Sequence, residues 1–412
     1  MAKKRLITGI DVGTTKICSA IAEVTESSIE VIGTGWSQSK GLKRGVVVNL
    51  SDTIASVRKS LEKAESAAKI VVESAFVSVG GSFLQSRNTT ARTDVRSKNG
   101  RVTSEDVDRA VESARELELP ADYEIVHILT QGFSLDGQKG ITNPLGMTGS
   151  QLTVNLHVVI NASAVVQNIL NAINKSEVIV NGVVIQQLAS AHAVLTEDEK
   201  ELGVVLVDIG GGTTDIAIFS NGSLLHSEVL PMGGSLITKD IAIGLKAPLN
   251  DAEQLKKGMG SVFPATVPDE EVVEVPEMGT GRNRTISRKL LCRIVEARSD
   301  EILDESLKVI TRSGLNRDLM SGVVITGGGA LLSGLVERAE QVFGMPVRLG
   351  FPLDFESKNT EVFHPAYSTA LGLLKYAQES QSNELARAAK TSVFVKPKAI
   401  KERVRNWIFD RF

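Results

Sequence analysis

Two short segments of this chain combine an aspartate, glycines and threonines in an order that suits the binding of phosphate groups. They are Asp11-Val12-Gly13-Thr14-Thr15-Lys16 and, 197 residues further on (208 − 11), Asp208-Ile209-Gly210-Gly211-Gly212-Thr213-Thr214. Glycine lets backbone N–H groups crowd around a polyanion, and threonine hydroxyls add hydrogen-bond donors. The aspartates Asp11 and Asp208 can hold a hydrated Mg²⁺ ion against the same phosphates. Together the two segments predict a site for a nucleotide with Mg²⁺.

Apolar runs on both sides of each segment predict β-strands. Residues 6–10 and 17–21 flank the first segment, and residues 204–207 and 216–219 flank the second. Each segment is therefore expected to form the tight turn of a hairpin, with its aspartate at the end of the first strand. Two such hairpins in one chain indicate two related halves that close on a nucleotide from opposite sides.

Two further segments are candidates for contact with the nucleotide. They are Gly327, Gly328, Gly329 and Ala330, and Glu253, Lys256 and Lys257. The glycine segment lies between an apolar strand and an apolar helix, which predicts free backbone N–H groups at a helix start. The charged segment shares one face of a predicted helix and is either part of the nucleotide site or an ordinary ion pair. The chain lacks both a Gly-Lys-Ser/Thr phosphate loop and a Gly-x-Gly-x-x-Gly turn after a strand.

The bulk composition is that of a globular protein with room for two to four compact units. The 412 residues are 42% hydrophobic and 23% charged, and the net charge of −3 gives no support to a nucleic-acid partner. Cys18 and Cys292 are isolated thiols, which fits a reducing cytosol. The apolar run 6–10 is too short for a secretory signal, and no stretch approaches the ~20 apolar residues of a spanning helix. The body of the protein is therefore expected in the cytoplasm.

Several further patterns predict individual elements. A helix is expected to open at Ser51, and a capping box of Thr103 and Asp106 predicts the start of another helix. Residues 152–160 alternate apolar and polar side chains, as a half-buried strand does. Residues 378–395 are rich in Gln, Ser, Asn and Ala, which favours a flexible tether.

The C-terminal segment 396–412 has the pattern of a basic amphipathic helix. Its apolar residues in one sector of a helical wheel are Ile400, Val404, Trp407, Ile408 and Phe412, and its basic residues include Lys401, Arg403 and Arg405. Six basic and two acidic side chains give this segment a net charge of +4 (6 − 2). Such a helix on a tether suits an anionic membrane surface. The alternatives are a terminal helix docked on its own domain and, less in keeping with the acidic body, a nucleic-acid arm.

In the order of these motifs, residues 6–376 resemble the superfamily of actin, sugar kinases and heat-shock chaperone ATPases. The resemblance implies an α/β, two-lobed actin-like ATPase fold with duplicated ribonuclease-H-like cores and ATP with Mg²⁺ in the cleft. It also implies that Asp208 acts in catalysis and that Gln187, in the first connection between the lobes, positions water. Many members carry a glutamate at that position, and an amide is not a carboxylate base. An ATP-binding switch with at most weak ATPase activity is therefore expected.

Within this superfamily the chain resembles the FtsA family of bacterial cell division proteins. The segments that carry this resemblance are 41–50, 82–161, 231–257 and 364–374. It implies a protein that forms actin-like filaments on the cytoplasmic face of the inner membrane at the septum, anchors the FtsZ ring and recruits later division proteins. A pilus-assembly adaptor and a small-molecule kinase of the same superfamily are the alternatives. A heat-shock chaperone is not expected, because too few residues follow residue 376 for a peptide-binding domain.

The resemblance also divides the chain into regions. They are a first core lobe (1–81 and 162–195), an inserted α+β subdomain for self-association (82–161), a second core lobe (196–230 and 302–377), a small subdomain of the second lobe (231–301), a flexible linker (378–395) and an amphipathic membrane-targeting helix (396–412). The small subdomain is implied to bind the C-terminal peptide of FtsZ through basic residues. They are Arg282, Arg284, Arg288, Lys289 and Arg298, and for each one a solvated charged face is an equal alternative.

Overall fold

The computed structural model of the protein describes residues 4–113, 118–278 and 282–390. The strands are β1 (Arg5–Val12), β2 (Lys16–Val24), β3 (Ile29–Gln38), β4 (Leu42–Lys43), β5 (Val46–Val47), β6 (Ser74–Val79), β7 (Gln85–Asp94), β8 (Tyr123–Leu135), β9 (Gln138–Ile141), β10 (Gln151–Ala162), β11 (Ile179–Ile185), β12 (Val204–Ile209), β13 (Thr214–Ser220), β14 (Ser223–Leu230), β15 (Val272–Pro276), β16 (Asn283–Ser287), β17 (Val323–Thr326), β18 (Val347–Leu349) and β19 (Glu356–Ser357). The helices are α1 (Leu50–Ala68), α2 (Ser104–Glu112), α3 (Ser163–Asn174), α4 (Gln186–Val194), α5 (Glu197–Leu202), α6 (Gly234–Gly244), α7 (Leu249–Met259), α8 (Arg288–Arg312), α9 (Leu335–Phe343) and α10 (Ser368–Lys390).

The first lobe is built on a six-stranded sheet in the order β11-β6-β1-β2-β3-β19. Strands β1, β2 and β3 form an antiparallel meander, and β6 and β11 continue the sheet in parallel. The first predicted hairpin is confirmed, since Asp11 pairs with Cys18 across it. Its turn, residues 13–15, is called the first turn below.

The second lobe repeats this arrangement with a five-stranded sheet in the order β14-β13-β12-β17-β18. Strands β12, β13 and β14 form the antiparallel meander, and β17 and β18 are the parallel strands. Asp208 pairs with Asp215 across the second predicted hairpin, whose turn, residues 210–213, is called the second turn. The repeated strand order confirms the predicted two-lobed, duplicated fold.

Helices α4 and α10 pack against each other within a core that both sheets share. This core contains Ile10 of the first sheet, Leu206 of the second sheet and Leu371 of α10. The two helices cross at very short range, because a Cβ on Gly372 would lie 1.7 Å from the carbonyl oxygen of Ala189. Only glycine leaves room for that approach.

The assignment of all of 302–377 to the second lobe is wrong in part. Residues 370–377 of α10 pack in the core with the first sheet, and α10 contacts β1, β2 and β6. Strand β19 adds a parallel strand to the edge of the first sheet through β3. The chain returns to the first lobe here because the apolar residues of α10 pack against α4 and β1. Hydrogen bonds at the start of α10 nevertheless hold it to both lobes, with Ser368 Oγ 2.8 Å from Thr326 Oγ1.

The inserted subdomain is a four-stranded antiparallel sheet, β7-β10-β8-β9, with α2 packed on one face. The capping box predicted for α2 is confirmed, because Thr103 Oγ1 accepts from Asp106 N and the Asp106 carboxylate accepts from Thr103 N. The alternating apolar residues of 152–160 face this core as predicted. His157, on the other face of β10, is also buried, so this strand is not half exposed.

Two predicted boundaries differ from the structure. Helix α1 begins at Leu50 rather than Ser51, because Asn49 is the N-cap and its side chain accepts from Asp52 N over 3.2 Å. Residues 378–390, predicted to belong to a flexible tether, are helical and continue α10. They contain no glycine or proline and are rich in good helix formers. The side chain of Gln378 also ties the helix to the first lobe by donating to Thr25 O over 2.8 Å.

Among the helices of the described ranges, none combines the length and the apolar composition that crossing a lipid bilayer requires.

Candidate nucleotide-binding site

The two hairpin turns meet at the junction of the lobes. Backbone hydrogen bonds close both turns, from Gly13 N to Lys16 O over 3.1 Å and from Gly210 N to Thr213 O over 2.9 Å. A Cβ on Gly211 would lie 2.3 Å from Thr15 Oγ1, and a Cβ on Gly212 would lie 2.6 Å from Thr14 Oγ1. The glycines therefore allow a contact between the turns that any side chain would block.

Asp11 lies buried at the end of β1, as predicted. Its Oδ1 accepts from Ser78 Oγ over 2.8 Å and from Gln186 Nε2 over 3.3 Å. Burial raises the pKa of the Asp11 carboxyl above its ordinary value, and the neighbouring charge of Lys16 opposes that rise. In the folded protein, few hydrogen bonds and charges therefore stabilise the ionised form of Asp11.

Asp208 occupies the matching position in the second lobe. Its Oδ2 accepts from Ser190 Oγ over 2.5 Å, and Ser190 is in turn 3.0 Å from Thr369 Oγ1. Burial and, to a smaller extent, the charge of Asp11 raise the pKa of Asp208 to about 6. The two aspartates thus lie close enough to repel each other when both are ionised.

Asp215 is a third buried carboxylate that the sequence analysis missed. Its Oδ2 accepts from Thr213 Oγ1 over 3.1 Å, whereas its Oδ1 has no hydrogen-bond partner among the described residues. Burial and the charges of Asp208 and Asp11 raise the pKa of Asp215 well above its ordinary value. The signal in the sequence was the residue after the Thr-Thr pair, which is Lys16 in the first segment and Asp215 in the second.

Gln186, not Gln187, reaches Asp11. Both residues begin α4, but the Gln186 amide donates to Asp11 while the Gln187 side chain is fully buried and its amide has no partner in the described structure. Successive residues of a helix point about 100° apart, so only one of the two can face the site. In this structure Gln186 enters the site, and the role of Gln187 in positioning water stays a prediction.

Lys16 turns away from its own hairpin toward the start of α10. Its Nζ donates to Ala366 O and lies 4.5 Å from the centre of the Tyr367 ring. Ala366 and Tyr367 form the 3-10 turn Pro365–Tyr367, directly before α10. A phosphate at the first turn would compete with Ala366 O for this ammonium group.

The charged segment of α7 lies next to the second turn. Helix α6 begins there, with Gly234 N donating to Gly210 O over 2.9 Å. Lys256 Nζ donates to Gly234 O over 3.0 Å and to Glu253 Oε2 over 2.6 Å, and Lys257 Nζ is 3.2 Å from Glu253 Oε1. The ion pair of the sequence analysis is therefore present, and it is connected to the second turn.

The glycine segment 327–330 does not begin an α-helix. Gly327 has a φ of +85°, residues Gly328–Leu331 form a 3-10 turn, and α9 begins only at Leu335. A Cβ on Gly327 would lie 2.2 Å from Asp208 Oδ1, so this turn packs directly on the second aspartate. The predicted proximity to the site holds, but the helix-start geometry is wrong.

The basic residues proposed to bind a partner peptide already have partners within the protein. Arg288 pairs with Glu271 at 2.6 Å, Lys289 with Asp269 at 2.6 Å, and Arg298 with Asp240 at 2.6 Å, while Arg284 Nη2 donates to Leu245 O over 2.5 Å. The membrane-contact residues predicted within 396–412 lie outside the described residues. In the described part of the chain, no three or more His, Cys, Asp or Glu side chains are grouped so as to hold a metal ion.

Solved structures with this arrangement of lobes are actin-like proteins. A chain of the PilM-PilN type IV pilus biogenesis complex matches with a TM-score of 0.64 at 14% identity, over 90% of this chain and 98% of that chain. MreB5 of Spiroplasma citri bound to ADP matches with a TM-score of 0.51 at 14% identity, over 93% and 98%. Identities this low show the fold alone. The fold is thus actin-like, and this chain carries an inserted α+β subdomain within it.

Relatives with curated names match almost the whole chain. It is 38% identical to the cell division protein FtsA of Pseudomonas aeruginosa over 412 residues, which is 99% of this chain and 98% of that protein. It is 33% identical to FtsA of Escherichia coli K12 over 417 aligned residues, 99% of each. The chain therefore belongs to the FtsA family of cell division proteins. Family models for the cell division protein FtsA and for the SHS2 domain inserted in FtsA match residues 205–372 and 81–160. The expected role as an actin-like cell division protein is confirmed.

Proposed function

We propose that this cell division protein binds ATP with Mg²⁺ between the first and second turns and acts as a nucleotide-responsive membrane tether for the FtsZ ring. The observation that carries the nucleotide site is the contact of two glycine turns from different lobes beside two buried aspartates. MreB5 of Spiroplasma citri, which shares the fold, was solved bound to ADP and to AMPPNP. The site is expected to bind the triphosphate across the junction and so to bias the arrangement of the lobes.

The donor set at the turns fits a magnesium-bound triphosphate. Asp11 and Asp208 are buried with raised pKa values, so a cation close to them would stabilise their ionised forms. Backbone N–H groups of the glycine turns and the threonine hydroxyls would hold phosphate oxygens. Lys16 would exchange its bond to Ala366 O for a phosphate oxygen. Asp11 and Asp208 would hold Mg²⁺, which would neutralise phosphate charge, and water and phosphate oxygens would supply its other ligands.

Hydrolysis of the bound nucleotide is proposed to be weak. The side chain that enters the site from α4 is the Gln186 amide, which donates a hydrogen bond to Asp11. An amide can orient a water molecule but cannot accept a proton as a carboxylate base does. The protein would therefore spend most of its time with ATP bound, as suits a switch.

The test of the nucleotide site is the Asp208→Ala variant, with Asp354→Ala as the matched control. Asp354 is exposed and pairs with Lys375 at the surface, 3.0 Å away. Asp208→Ala should weaken binding of a fluorescent ATP analogue in Mg²⁺ buffer and weaken membrane-dependent polymerisation with it. Asp354→Ala should leave both unchanged. If Asp208→Ala changes neither measurement, the site lies elsewhere.

The segment 396–412 is proposed to attach the protein to the cytoplasmic face of the cell membrane at the septum. The segment has a net charge of +4, and the rest of the chain has a net charge of −7 (−3 − 4). An anionic surface would therefore attract the segment, and each basic residue would contribute about 1 kcal/mol to membrane binding. Deletion of 396–412 should abolish sedimentation with anionic liposomes while the melting temperature of the body stays the same. Equal sedimentation of the truncated protein would refute this attachment.

Self-association would make many such weak attachments act together. Filaments of stacked two-lobed units place one tail per protomer on the membrane, and the combined avidity exceeds that of a single tail. The inserted subdomain is proposed to take part in this self-association. Electron microscopy of the protein on lipid monolayers with Mg²⁺ and ATP should show filaments, and their absence at all protein concentrations would refute the proposal.

The small subdomain 231–301 is proposed to bind the C-terminal peptide of FtsZ. Since Arg288 and Lys289 are paired with Glu271 and Asp269, an acidic peptide would have to replace those partners at the surface. Lys289→Ala should weaken peptide binding several-fold, and the loss should shrink at high salt. The control is Lys308→Ala, which breaks a similar surface pair with Glu305 outside the subdomain. Equal peptide affinity of both variants and the wild type would contradict the assignment of Lys289.

A further inference from the structure

Strand β14 is the edge strand of the second-lobe sheet, and side chains of the inserted subdomain cover its open edge. Among the described strands, β14 pairs only with β13. Asn88 Nδ2 donates to Leu225 O over 2.9 Å, and Ser86 Oγ donates to Ser227 O over 2.6 Å. The carbonyls of residues 225 and 227 point the same way, as alternate residues of a strand do. The open edge is thus satisfied by side chains instead of by another strand.

Two more residues of the inserted subdomain complete this contact. Gln131 Nε2 lies 3.1 Å from both Leu224 O and Asn88 Oδ1. His157 places Nδ1 2.7 Å from Asn88 Oδ1 and Nε2 2.9 Å from Ser227 Oγ. We call the set the polar bridge; its members are Ser86, Asn88, Gln131 and His157 on the subdomain, and residues 224–227 of β14.

The hydrogen-bond pattern fixes the chemistry of the bridge. The Asn88 amide nitrogen is used on Leu225 O, so its oxygen must accept, and His157 must carry its proton on Nδ1. His157 Nε2 then accepts from the hydroxyl of Ser227. Burial lowers the pKa of His157 to about 3, in agreement with this neutral form. Every member has a defined role, which makes the contact specific rather than a loose polar surface.

The inserted subdomain is also fastened to the first lobe. The chain enters and leaves it there, through β6 and α3, and Asn161 Nδ2 donates to Gly80 O over 3.2 Å. His127 Nε2 on β8 accepts from Ile185 N, directly before α4, over 3.2 Å. One compact unit therefore contacts both lobes. Its partner in the second lobe, β14, is paired with β13, which starts at Thr214 beside the second turn.

We propose that the inserted subdomain is a bracket across the two lobes, in which the polar bridge transmits movement of the second turn to the subdomain. Any rotation of the second lobe carries β13 and β14 with it. The subdomain must then either follow β14 or release the polar bridge, because hydrogen bonds of this length allow little stretch. The transmission rests on the proposed nucleotide site, whereas the fastening of the subdomain to β14 does not.

The test measures the distance between the inserted subdomain and the second lobe in the full-length protein. Spin labels are placed at Lys139→Cys on β9 and Asp198→Cys on α5, both exposed, while the native cysteines are buried. The perturbation is Asn88→Ala, which removes the centre of the polar bridge. The matched control is Asn155→Ala, an exposed asparagine on β10 outside it.

Without nucleotide, the wild type and Asn155→Ala should give one narrow distance distribution. Asn88→Ala removes one hydrogen bond to β14 and the two bonds that hold Gln131 and His157 in place beside it. It should raise the undocked population roughly 10-fold, which appears as a broader distribution. Equal widths for Asn88→Ala and the control would overturn the bracket. Ser227→Ala, which removes one bond from the other side of the contact, should broaden the distribution less; no change in either variant leads to the same conclusion.

Adding ATP with Mg²⁺ tests the transmission. The wild-type distance should shift, and Asn88→Ala should lose that shift while it still binds a fluorescent ATP analogue with similar affinity. A shift that persists unchanged in Asn88→Ala would overturn the transmission. If the wild type does not bind the analogue at all, the proposed nucleotide site is wrong. The widths of the distance distributions measured without nucleotide would still decide whether the inserted subdomain is fastened to β14.

Discussion

Replacing Asp208 with asparagine is expected to stabilise the nucleotide-free protein. Burial raises the pKa of this carboxyl from its ordinary value of 3.8 to about 6. Between these two pH values the folded protein binds more protons than the unfolded chain, so stability falls as the pH rises through 6. Each tenfold change in an ionisation constant corresponds to about 1.4 kcal/mol, so keeping Asp208 ionised at pH 7.5 costs the folded state about 3 kcal/mol.

Asparagine keeps the shape of the side chain and can still accept the hydrogen bond from Ser190, but it carries no charge. Asp208→Asn should therefore raise the free energy of unfolding by about 3 kcal/mol at pH 7.5 and by only about 1.5 kcal/mol at pH 5. The same change should weaken binding of ATP with Mg²⁺, because it removes one of the two carboxylates proposed to hold the cation.

The assay is urea denaturation of the nucleotide-free protein in EDTA at pH 7.5 and pH 5. The control is Glu62→Gln, which neutralises an exposed carboxylate on α1 and should change stability by less than about 0.5 kcal/mol. A destabilised Asp208→Asn protein, or a gain that is the same at both pH values, would refute the view that ionisation of a buried acid is the source of the effect.

Three further changes test other parts of the structure by the same denaturation assay. Gln187→Leu should stabilise the protein by about 1–3 kcal/mol, because it removes a buried amide without partners; a loss of stability would mean that this amide is satisfied in solution. Gly372→Ala should destabilise by about 3 kcal/mol or more where α10 crosses α4, whereas Gly258→Ala on α7, with nothing within 4 Å of the new methyl group, should stabilise by about 0.5–1 kcal/mol; similar effects of the two would contradict the crossing. Burial lowers the pKa of His127 to about 3, so the stability it contributes is complete above pH 6.5 and is reduced by about 2 kcal/mol at pH 5. The free energy of unfolding of His127→Gln should accordingly fall less than that of the wild type between pH 7.5 and pH 5. An equal fall would show that protonation of His127 does not destabilise the folded protein.

The sequence predicted the hairpins because their signals are local. Each turn is flanked by apolar runs, and its glycines and aspartate are adjacent in the chain, so the strand–turn–strand unit and the place of Asp11 and Asp208 follow from short segments. The duplicated fold followed from the repetition of that unit. Asp215 could have been found in the same way, by comparing the residue after each Thr-Thr pair.

Features that depend on contacts between distant segments were not predictable. The choice between Gln186 and Gln187 depends on the rotation of α4 about its axis, which the two lobes set together. The extension of α10 past Ala377 was missed because polar composition suggested a tether, although Gln378 is held by a contact 353 residues away. The contact of His157 with Ser227 of β14, 70 residues further along the chain, likewise has no local signal in the sequence.

Helix α10 determines which contacts would bear a force applied at the C-terminal side of the protein. The helix starts between the lobes, where Ser368 bonds to Thr326 and Thr369 lies beside Ser190 and Asp208, and it runs outward along the first lobe. Tension along its axis would thus be delivered to the joint that contains the two aspartates, and not to an outer surface. Mechanical force and a bound nucleotide would then act on the same few hydrogen bonds. Force on α10 could therefore change the free energy of nucleotide binding, and a bound nucleotide could change the force that the joint withstands.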